Sequence, residues 1–267
     1  MKNLANKNIL ITGSLGLIGK KISEVLAINK ANVIMLDIKN KKEIKKIKNY
    51  DYIKQYLHYF RCDVSKEKNL KKVSKIIFKR YKKVDVLING AAITDAVERK
   101  GKVKNSMFEN FSTKEWTNSI LGNLNSMFLC SQIFGREMAK FRGGSIINFS
   151  STYGIVGPDQ SIYTDKYKKN LFFKNPAYPT AKGAVISFTR YLAAYWGKKG
   201  IRVNCISPGG IQNNQSSLFI KKYSSKTILG RMANTDDMIG VIKLLCSDES
   251  SYITGSNIVV DGGWTSI

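Results

Sequence analysis

A tyrosine and a lysine stand four residues apart, Tyr178 and Lys182, where the run AYPTAKGAV opens an apolar stretch with helical spacing. Residues four apart share one face of a helix, about a turn from each other. A tyrosine phenol, with an ordinary pKa of about 10, is a poor base near neutral pH. A neighbouring ammonium favours the phenolate and lowers that pKa, so the pair could exchange a proton with an alcohol or a carbonyl compound. Pro179 is tolerated in a first helical turn, which favours a helix that begins here.

A glycine-rich turn, ITGSLGLIGKKI, follows the first apolar run. Gly13, Gly16 and Gly19 permit a tight turn and a close approach of the backbone to a pyrophosphate, and the next helix offers free N–H groups. The spacing is G-x-x-G-x-x-G rather than the commoner G-x-G-x-x-G. Asp37, at the end of the second run, can accept hydrogen bonds from ribose hydroxyls and would repel a 2′-phosphate. We therefore predict that the cofactor is NAD, with NADP not excluded because Lys39 could partner that phosphate.

Short apolar runs alternate with helical stretches along the whole chain. The runs are residues 7–12, 31–37, 57–63, 84–90, 144–150, 201–207 and 256–262. The longest helical stretches are residues 17–29, 70–81, 115–140, 181–197 and 236–245. This alternation predicts an α/β fold, a single Rossmann-type doubly wound domain over residues 1–267 whose parallel sheet of about seven strands has helices on both faces.

Two longer segments interrupt this rhythm, an insertion at about residues 157–176 and a second loop at about residues 208–230. Both follow strands, and loops at the carboxyl ends of parallel strands surround the ligand crevice. We expect both to contact substrate. Tyr163 and Tyr167 in the insertion are interpreted as packing or substrate contacts, because no lysine follows either by four residues.

Composition narrows the possible functions. The net charge of +25 comes mostly from lysines that are spread along the chain, so nucleic-acid binding is not favoured. Clusters such as residues 39–48 are interpreted as the solvent-exposed face of a surface helix. The N-terminus lacks a signal-peptide pattern and no stretch has the length of a membrane span, so we expect a cytoplasmic protein with no membrane partner.

Metal and disulfide chemistry are also disfavoured. The four cysteines, Cys62, Cys130, Cys205 and Cys246, lie far apart, and the only histidine, His58, falls in an apolar run that reads as the start of a strand. We predict no metal site and reduced, mostly buried thiols.

In chain order, the motifs resemble the short-chain dehydrogenase/reductase family over essentially the whole chain. The matching stretches are the turn with Thr12 and Gly13, then CDVS with Asp63, LINGAA with Asn89, NLNSMF with Asn123, INFSSTYG with Ser151, Tyr178-x-x-x-Lys182, SPGGI and the ending VDGGWT. Gly90, Ala92 and Ser126 depart from the family pattern, but these changes are small and we expect them to be tolerated.

The resemblance implies a catalytic set of Asn123, Ser151, Tyr178 and Lys182. Tyr178 would exchange the proton, Lys182 would also bind the nicotinamide ribose, and Ser151 would hydrogen-bond the substrate oxygen. Asn123 would hold a water that links Lys182 to solvent, although the same side chain could serve a bent helix. Because successive side chains of a strand point to opposite faces, Ser150 is expected to point away from the side that Ser151 faces.

The resemblance also implies residues that contact the cofactor. They are Thr12, Gly13, Ser14, Gly16, Leu17, Ile18, Gly19, Asp37, Asp63, Val64, Asn89, Gly90, Ala91, Tyr178, Lys182, Pro208, Gly209 and Ile211.

The leading hypothesis is an NAD(P)-dependent oxidoreductase that acts on a secondary alcohol or ketone of a small polar metabolite. The resemblance is closest to members associated with bacterial surface-sugar and flagellin-glycan biosynthesis, which suggests a sugar or a nucleotide sugar. The alternatives are a 3-oxoacyl thioester reductase, a sugar-nucleotide epimerase suggested only by the glycine spacing, and a non-catalytic dinucleotide-dependent sensor. A homo-tetramer or dimer is expected from the family.

Overall fold

A parallel sheet of seven strands forms the centre of the molecule, in a computed structural model that describes residues 4–93 and 103–267. The strands are β1 (Asn8–Thr12), β2 (Asn32–Asp37), β3 (Leu57–Arg61), β4 (Val86–Asn89), β5 (Gly144–Phe149), β6 (Ile201–Pro208) and β7 (Asn257–Val260). Their spatial order is β3-β2-β1-β4-β5-β6-β7, and each neighbouring pair is parallel. Each strand falls within the run that predicted it, except that β6 extends one residue further, to Pro208, and the predicted sheet is confirmed.

The strands are apolar on both faces because helices cover both sides of the sheet. The helices are α1 (Leu17–Ile28), α2 (Tyr50–Ile53), α3 (Glu67–Tyr81), α4 (Thr113–Ile120), α5 (Ser126–Cys130), α6 (Arg136–Lys140), α7 (Ala177–Trp196), α8 (Ser217–Ser224) and α9 (Ile239–Cys246). Ile9 and Ile11 of β1 pack in the core with α1 and α9, whereas Leu10 packs in the opposite core with α3 and α7.

The predicted helix at residues 115–140 is interrupted by two wider turns. Helices α4, α5 and α6 are joined by π-helical turns at Leu121–Asn125 and Ser131–Gly135. Such turns free backbone groups from the regular i→i−4 pattern and are frequent at functional sites. The first of them contains Asn123.

Residues 39–48 do not form the predicted surface α-helix. The chain makes a short 3₁₀ helix at Lys41–Lys46, and its apolar members Ile44 and Ile47 are buried against the core. The apolar residues are too few to give an amphipathic helix of several turns, so burial of these two decides the local structure.

The order of strands reverses between β1 and β4, and the loops that follow both strands therefore diverge and leave a crevice at the carboxyl edge of the sheet. The segments at 157–176 and 208–230 lie at the same edge, after β5 and β6. His58 lies in β3, as predicted, and the four cysteines are buried and unpaired. Within residues 4–93 and 103–267, the helices are too short or too polar to span a bilayer.

Candidate active site

The glycine turn after β1 brings two backbones together with no room for side chains. Gly13 has a φ of +68°, and a Cβ there would lie 2.8 Å from the Cα of Ala91. A Cβ on Gly19 would lie 2.2 Å from the carbonyl oxygen of Gly13. No described side chain caps the first turn of α1, which begins at Leu17. Its N–H groups and positive dipole end therefore suit a pyrophosphate, and the turn fits the predicted dinucleotide.

Thr12 braces this turn against the loop that follows β4. Its hydroxyl oxygen accepts hydrogen bonds from the backbone N–H groups of Gly90, at 3.2 Å, and Ala91, at 3.1 Å. The Ser14 hydroxyl points inward and donates to the carbonyl of Leu36 at 3.2 Å. Both side chains stabilise the shape of the turn. Because their hydroxyls are engaged in these bonds, the glycine backbone is the part of the turn that can contact a ligand.

Asp37 lies beside the turn, at the end of β2. Its carboxylate accepts hydrogen bonds from the N–H groups of Leu15, at 2.8 Å, and Lys39, at 3.0 Å. The Lys39 ammonium bends back to donate to the carbonyl of Leu15 at 2.9 Å. A carboxylate and an ammonium thus stand together beside the glycine turn, at the end of β2.

Two other predicted cofactor residues are held at strand ends. Asp63 accepts hydrogen bonds from the backbone N–H and hydroxyl of Ser65, at 3.0 and 2.6 Å. Asn89 is buried and donates to the side chains of Ser131, at 3.1 Å, and Asn148, at 2.9 Å. The amide of Asn89 thus points into a buried polar network, and Val64 is likewise buried, in the core below.

Lys182 is buried under the floor of the crevice. Its ammonium donates to the carbonyl of Phe149, the last residue of β5, at 2.7 Å. Burial lowers the pKa of Lys182 to about 8. The neighbouring Ser150 donates its hydroxyl to the carbonyl of Lys182 at 2.7 Å. Helix α7 is thereby fixed to the end of β5 from both sides.

Tyr178 is half-buried one turn before Lys182 on the same face of α7. The helix begins at Ala177, and the side chain of Asn175 accepts from the N–H of Tyr178 at 2.9 Å, which satisfies a donor of the first turn. Two ammonium groups face the Tyr178 ring: Lys182 at 5.7 Å and Lys174 of the insertion at 4.8 Å from the centroid. Nearby positive charge favours the phenolate. Sequence reasoning found Lys182 and missed Lys174.

Ser151 and Asn123 occupy different positions around this pair. Ser151 lines the crevice, where its hydroxyl oxygen accepts from the N–H of Tyr153 at 3.2 Å and remains able to donate. Asn123 is fully buried behind the crevice, and its amide group donates to the carbonyls of Ile93, at 3.0 Å, and Ser119, at 2.9 Å. The bond to Ser119 satisfies a carbonyl at the π turn, so the side chain does serve the bent helix.

One cavity of about 630 Å³ joins these groups. The predicted residues on its wall are Thr12, Gly13, Gly16, Leu17, Ile18, Gly19, Gly90, Ser151, Tyr178, Lys182, Pro208, Gly209 and Ile211. The described wall also contains residues that the sequence did not single out, namely Tyr153, Lys174, Asn213, Gln215, Phe219, Tyr223 and Met232. Of the two tyrosines in the insertion that were interpreted as packing or substrate contacts, Tyr163 lies on the cavity wall, whereas Tyr167 is exposed.

An aromatic cluster joins the insertion to the second loop. Tyr163 packs on Phe172 and on Phe219 of α8, with ring centroids 4.8 and 5.7 Å apart, and Tyr223 stacks on Trp264 at 4.3 Å. The ammonium of Lys222 donates to the carbonyl and hydroxyl of Thr164 at 2.6 and 2.5 Å. The contacts of Tyr163 with Phe219 and of Lys222 with Thr164 could not be inferred from spacing, because the partners are more than 50 residues apart along the chain.

The fold and this cavity define a class of protein: dinucleotide-dependent enzymes in which a tyrosine and a lysine on one helix face the ligand crevice. A family model described as enoyl-(acyl carrier protein) reductase matches residues 17–265. The chain therefore belongs to the short-chain dehydrogenase/reductase family and is an oxidoreductase of that family.

Relatives along the full length agree with this assignment. An NAD-dependent glycerol dehydrogenase of Listeria innocua is 31% identical, over 98% of this chain and 95% of the relative. The post-translational flagellin modification protein A of Campylobacter coli is 29% identical over 98% and 99%. A 3-oxoacyl-[acyl-carrier-protein] reductase of Thermotoga maritima is 30% identical over 97% and 98%.

The solved structures show the same similarity. A short-chain dehydrogenase of Leptospira borgpetersenii with bound NAD+ is 36% identical, with a TM-score of 0.86 over 99% of this chain and 96% of that one. The predicted cofactor, NAD with NADP not excluded, agrees with these relatives.

Proposed function

We propose that this enzyme transfers hydride between NAD and the carbon of a secondary alcohol or ketone in a small polar metabolite. One observation carries the proposal: Tyr178 and Lys182 open into the same cavity as the glycine turn, so proton transfer and dinucleotide binding share one space. When bound, NAD supplies the hydride acceptor or donor; the chain supplies the proton and the positioning.

Tyr178 is the proposed proton acceptor in alcohol oxidation and the donor in ketone reduction. The ammonium of Lys182 and its bond to Phe149 place a buried positive charge behind the phenol, which stabilises the phenolate. Ser151, on the cavity wall, is proposed to donate a hydrogen bond to the substrate oxygen as its charge develops.

Asn123 is proposed to act mainly by holding the neighbouring backbone in place. Its amide fixes the segment after β4 at Ile93 and the π turn at Ser119. We infer that this geometry keeps the backbone near Lys182 in the shape that a proton-carrying water needs, and the side chain itself is occupied by those contacts.

NAD is the proposed cofactor because the Asp37 carboxylate is fixed by two backbone donors at the ribose position and would repel a 2′-phosphate. The remaining contacts are proposed from the glycine turn, from Asp63 near the adenine, and from the loop at Pro208 and Gly209 beside the nicotinamide. One relative is named as NAD-dependent and another was solved with NAD+.

The proposed substrate is a polyol, a sugar or a sugar derivative. The insertion at 157–176 and the loop at 208–230 are proposed to form the substrate wall, since both contribute to the cavity. The names of the Listeria and Campylobacter relatives, a glycerol dehydrogenase and a flagellin modification protein, support a hydroxyl-rich substrate.

A second candidate is reduction of a 3-oxoacyl thioester. The name of the Thermotoga relative favours it, and the family model is described by a different acyl-carrier-protein reductase. Such an enzyme is expected to prefer NADPH, which the charge of Asp37 disfavours, so the comparison of cofactors separates the two candidates.

A homo-tetramer or dimer is proposed for the assembly. Exposed apolar side chains share the outer surface of α7 and the helical segment 113–140, namely Tyr191, Tyr195, Trp116, Leu121 and Phe128. Large apolar side chains left exposed on neighbouring helices favour an interface between subunits. A monomer in sedimentation equilibrium would contradict this proposal.

The test of the proposed reaction is a panel of polyols, sugar alcohols and sugar acids with NAD+, followed by absorbance at 340 nm. We expect turnover of at least one hydroxylated compound, and none of acyl thioesters with NADH. Turnover only of 3-oxoacyl thioesters with NADPH would establish the second candidate instead. Dinucleotide binding with no turnover of either group would favour a non-catalytic sensor.

A further inference from the structure

Two tyrosine hydroxyls meet on the cavity wall. The hydroxyl oxygens of Tyr153 and Tyr163 are 2.8 Å apart, and both side chains line the cavity. Each phenol carries one O–H, so the hydrogen bond between them uses only one of two protons. Within residues 4–93 and 103–267, these hydroxyls form no hydrogen bond except the one that joins them. One O–H of the pair is therefore left to donate to a ligand.

The surroundings of the two phenols indicate which of them keeps that proton. Tyr163 is 4% exposed, and its ring packs against Phe172 and Phe219 at centroid distances of 4.8 and 5.7 Å. Tyr153 is half-buried, in the short 3₁₀ turn that follows Ser151. A buried O–H needs a partner within the protein, whereas an O–H nearer the cavity can donate to whatever fills it. Tyr163 therefore suits the internal donor, and Tyr153 suits the donor to a ligand.

Both phenols stay protonated at physiological pH. Burial raises the pKa of Tyr153 and of Tyr163 above the ordinary tyrosine value. The charge of Asp159 adds to both shifts, and its carboxylate is bound by the ammonium of Lys226 and by the N–H of Ser161. That carboxylate does not bond to either hydroxyl, so the pair remains a neutral hydrogen-bond donor.

Tyr153 is joined directly to Ser151, the residue proposed to hold the reacting oxygen. The backbone N–H of Tyr153 donates to the hydroxyl oxygen of Ser151 at 3.2 Å, and both side chains line the cavity. In the proposed reduction, Ser151 and Tyr178 both donate to the oxygen of the ketone. That oxygen has two lone pairs, which these two donors fill. The O–H of Tyr153 is thus available to a different oxygen of the same molecule.

We propose that Tyr153 determines substrate specificity: its O–H, oriented by the bond from Tyr163, donates to a second oxygen beside the alcohol or ketone that reacts. This inference rests on the proposed dehydrogenase function and deepens it, because the substrate is then a diol, a polyol or a hydroxyketone rather than a simple secondary alcohol. A site built to hydrogen-bond a hydroxyl disfavours the analogue that lacks it, since the donor is then left without a partner.

The test measures binding to the NADH-loaded enzyme by isothermal titration calorimetry, because the reduced cofactor cannot take hydride from an alcohol. Two matched pairs of probes differ by one hydroxyl: butane-2,3-diol with butan-2-ol, and cyclohexane-1,2-diol with cyclohexanol. The measured quantity is the ratio of diol affinity to alcohol affinity within a pair, in which the contribution of the shared carbon skeleton cancels. We expect this ratio to fall about three- to tenfold in Tyr153→Phe for at least one pair, which is the size of a neutral hydrogen bond.

Further variants separate recognition from structure. Tyr163→Phe is expected to keep most of the ratio, because the O–H of Tyr153 is still present, and the thermal midpoint of each variant confirms folding. Tyr167→Phe is the matched control, because Tyr167 is an exposed tyrosine of the same insertion. A purely structural pair would weaken the diol and the alcohol alike and leave their ratio unchanged. No binding of either diol, a ratio unchanged in Tyr153→Phe, or a ratio that falls as far in Tyr163→Phe would overturn the assignment.

Turnover of the same probes with NAD+ separates the two proposals. If simple secondary alcohols are oxidised in a Tyr178-dependent reaction and the ratio does not depend on Tyr153, the specificity assignment is wrong and the dehydrogenase stands. If the diols bind through Tyr153 and no probe exchanges hydride, the assignment stands and the proposed reaction fails.

Discussion

The ammonium of Lys182 donates a hydrogen bond of 2.7 Å to the carbonyl of Phe149, two residues before Ser151. This contact connects the helix that carries Tyr178 with the strand that delivers Ser151 to the cavity. Within residues 4–93 and 103–267, no carboxylate pairs with Lys182. A buried cation in that state is costly, and its retention is the pattern expected of a functional group rather than a stabilising one.

The pH dependence of stability reports that cost. Burial lowers the folded-state pKa of Lys182 to about 8, from 10.5 in an exposed side chain. Between pH 8 and 10.5 the unfolded chain holds a proton that the folded chain has released, so the contribution of Lys182 to stability rises with pH through that window.

The comparison that isolates this group is wild type against Lys182→Met. The difference in free energy of unfolding is expected to shift in favour of wild type between pH 8 and 10.5, by about 3 kcal/mol in total. Urea unfolding at several pH values measures it. A difference that stays constant from pH 7 to 10.5 would show that the lysine keeps its ordinary pKa.

Cofactor preference depends on Asp37. Replacing it by asparagine keeps an oxygen for the N–H of Leu15 but removes the negative charge. We expect the wild type to bind NADH more tightly than NADPH, and Asp37→Asn to lower that ratio about tenfold through weaker ribose bonds and lost repulsion of the 2′-phosphate. Titrations followed by nicotinamide fluorescence measure both constants.

Lys39 provides the opposite control. Because its ammonium lies at the same turn, Lys39→Met is expected to weaken NADPH binding and leave NADH binding nearly unchanged. Tighter binding of NADPH by the wild type would mean that the attraction of Lys39 for the 2′-phosphate outweighs the repulsion by Asp37. It would favour thioester reduction as the function.

The role of the glycine turn in dinucleotide binding can be tested by adding one methyl group to it. Gly19→Ala would place its Cβ 2.2 Å from the carbonyl oxygen of Gly13, so the turn must shift. Overpacking of this kind costs about 1–3 kcal/mol, and we expect NADH affinity to fall about ten- to hundredfold.

Gly240→Ala is the matched control for that change. Gly240 lies in α9, where an added Cβ meets no atom within 4 Å, so alanine is expected to stabilise the helix slightly and leave NADH affinity unaltered. NADH affinity unaltered in Gly19→Ala as well would show that the turn does not cradle the dinucleotide.

Much of the fold was predictable because it depends on local patterns. Apolar runs of strand length identified all seven strands, and the helix that carries Tyr178 was indicated by Pro179 and by the periodicity after it. The two π turns were not predicted, since they arise where the helical segment 113–140 accommodates tertiary contacts such as those of Asn123.

The reacting half of the site was predictable and the substrate half was not. Tyr178 and Lys182 are four residues apart, so spacing alone places them together. Lys174 and Tyr163 reach the cavity through an irregular insertion whose shape depends on α8 and Trp264, and no periodicity describes such long-range packing.

The central claim is that Tyr178 transfers the proton. The most direct measurement compares kcat/KM and NADH affinity in wild type and Tyr178→Phe, on the best compound of the polyol and sugar-acid panel. The account predicts that kcat/KM falls about 10²- to 10⁴-fold while the NADH dissociation constant changes by less than about threefold. Turnover retained in Tyr178→Phe would contradict it.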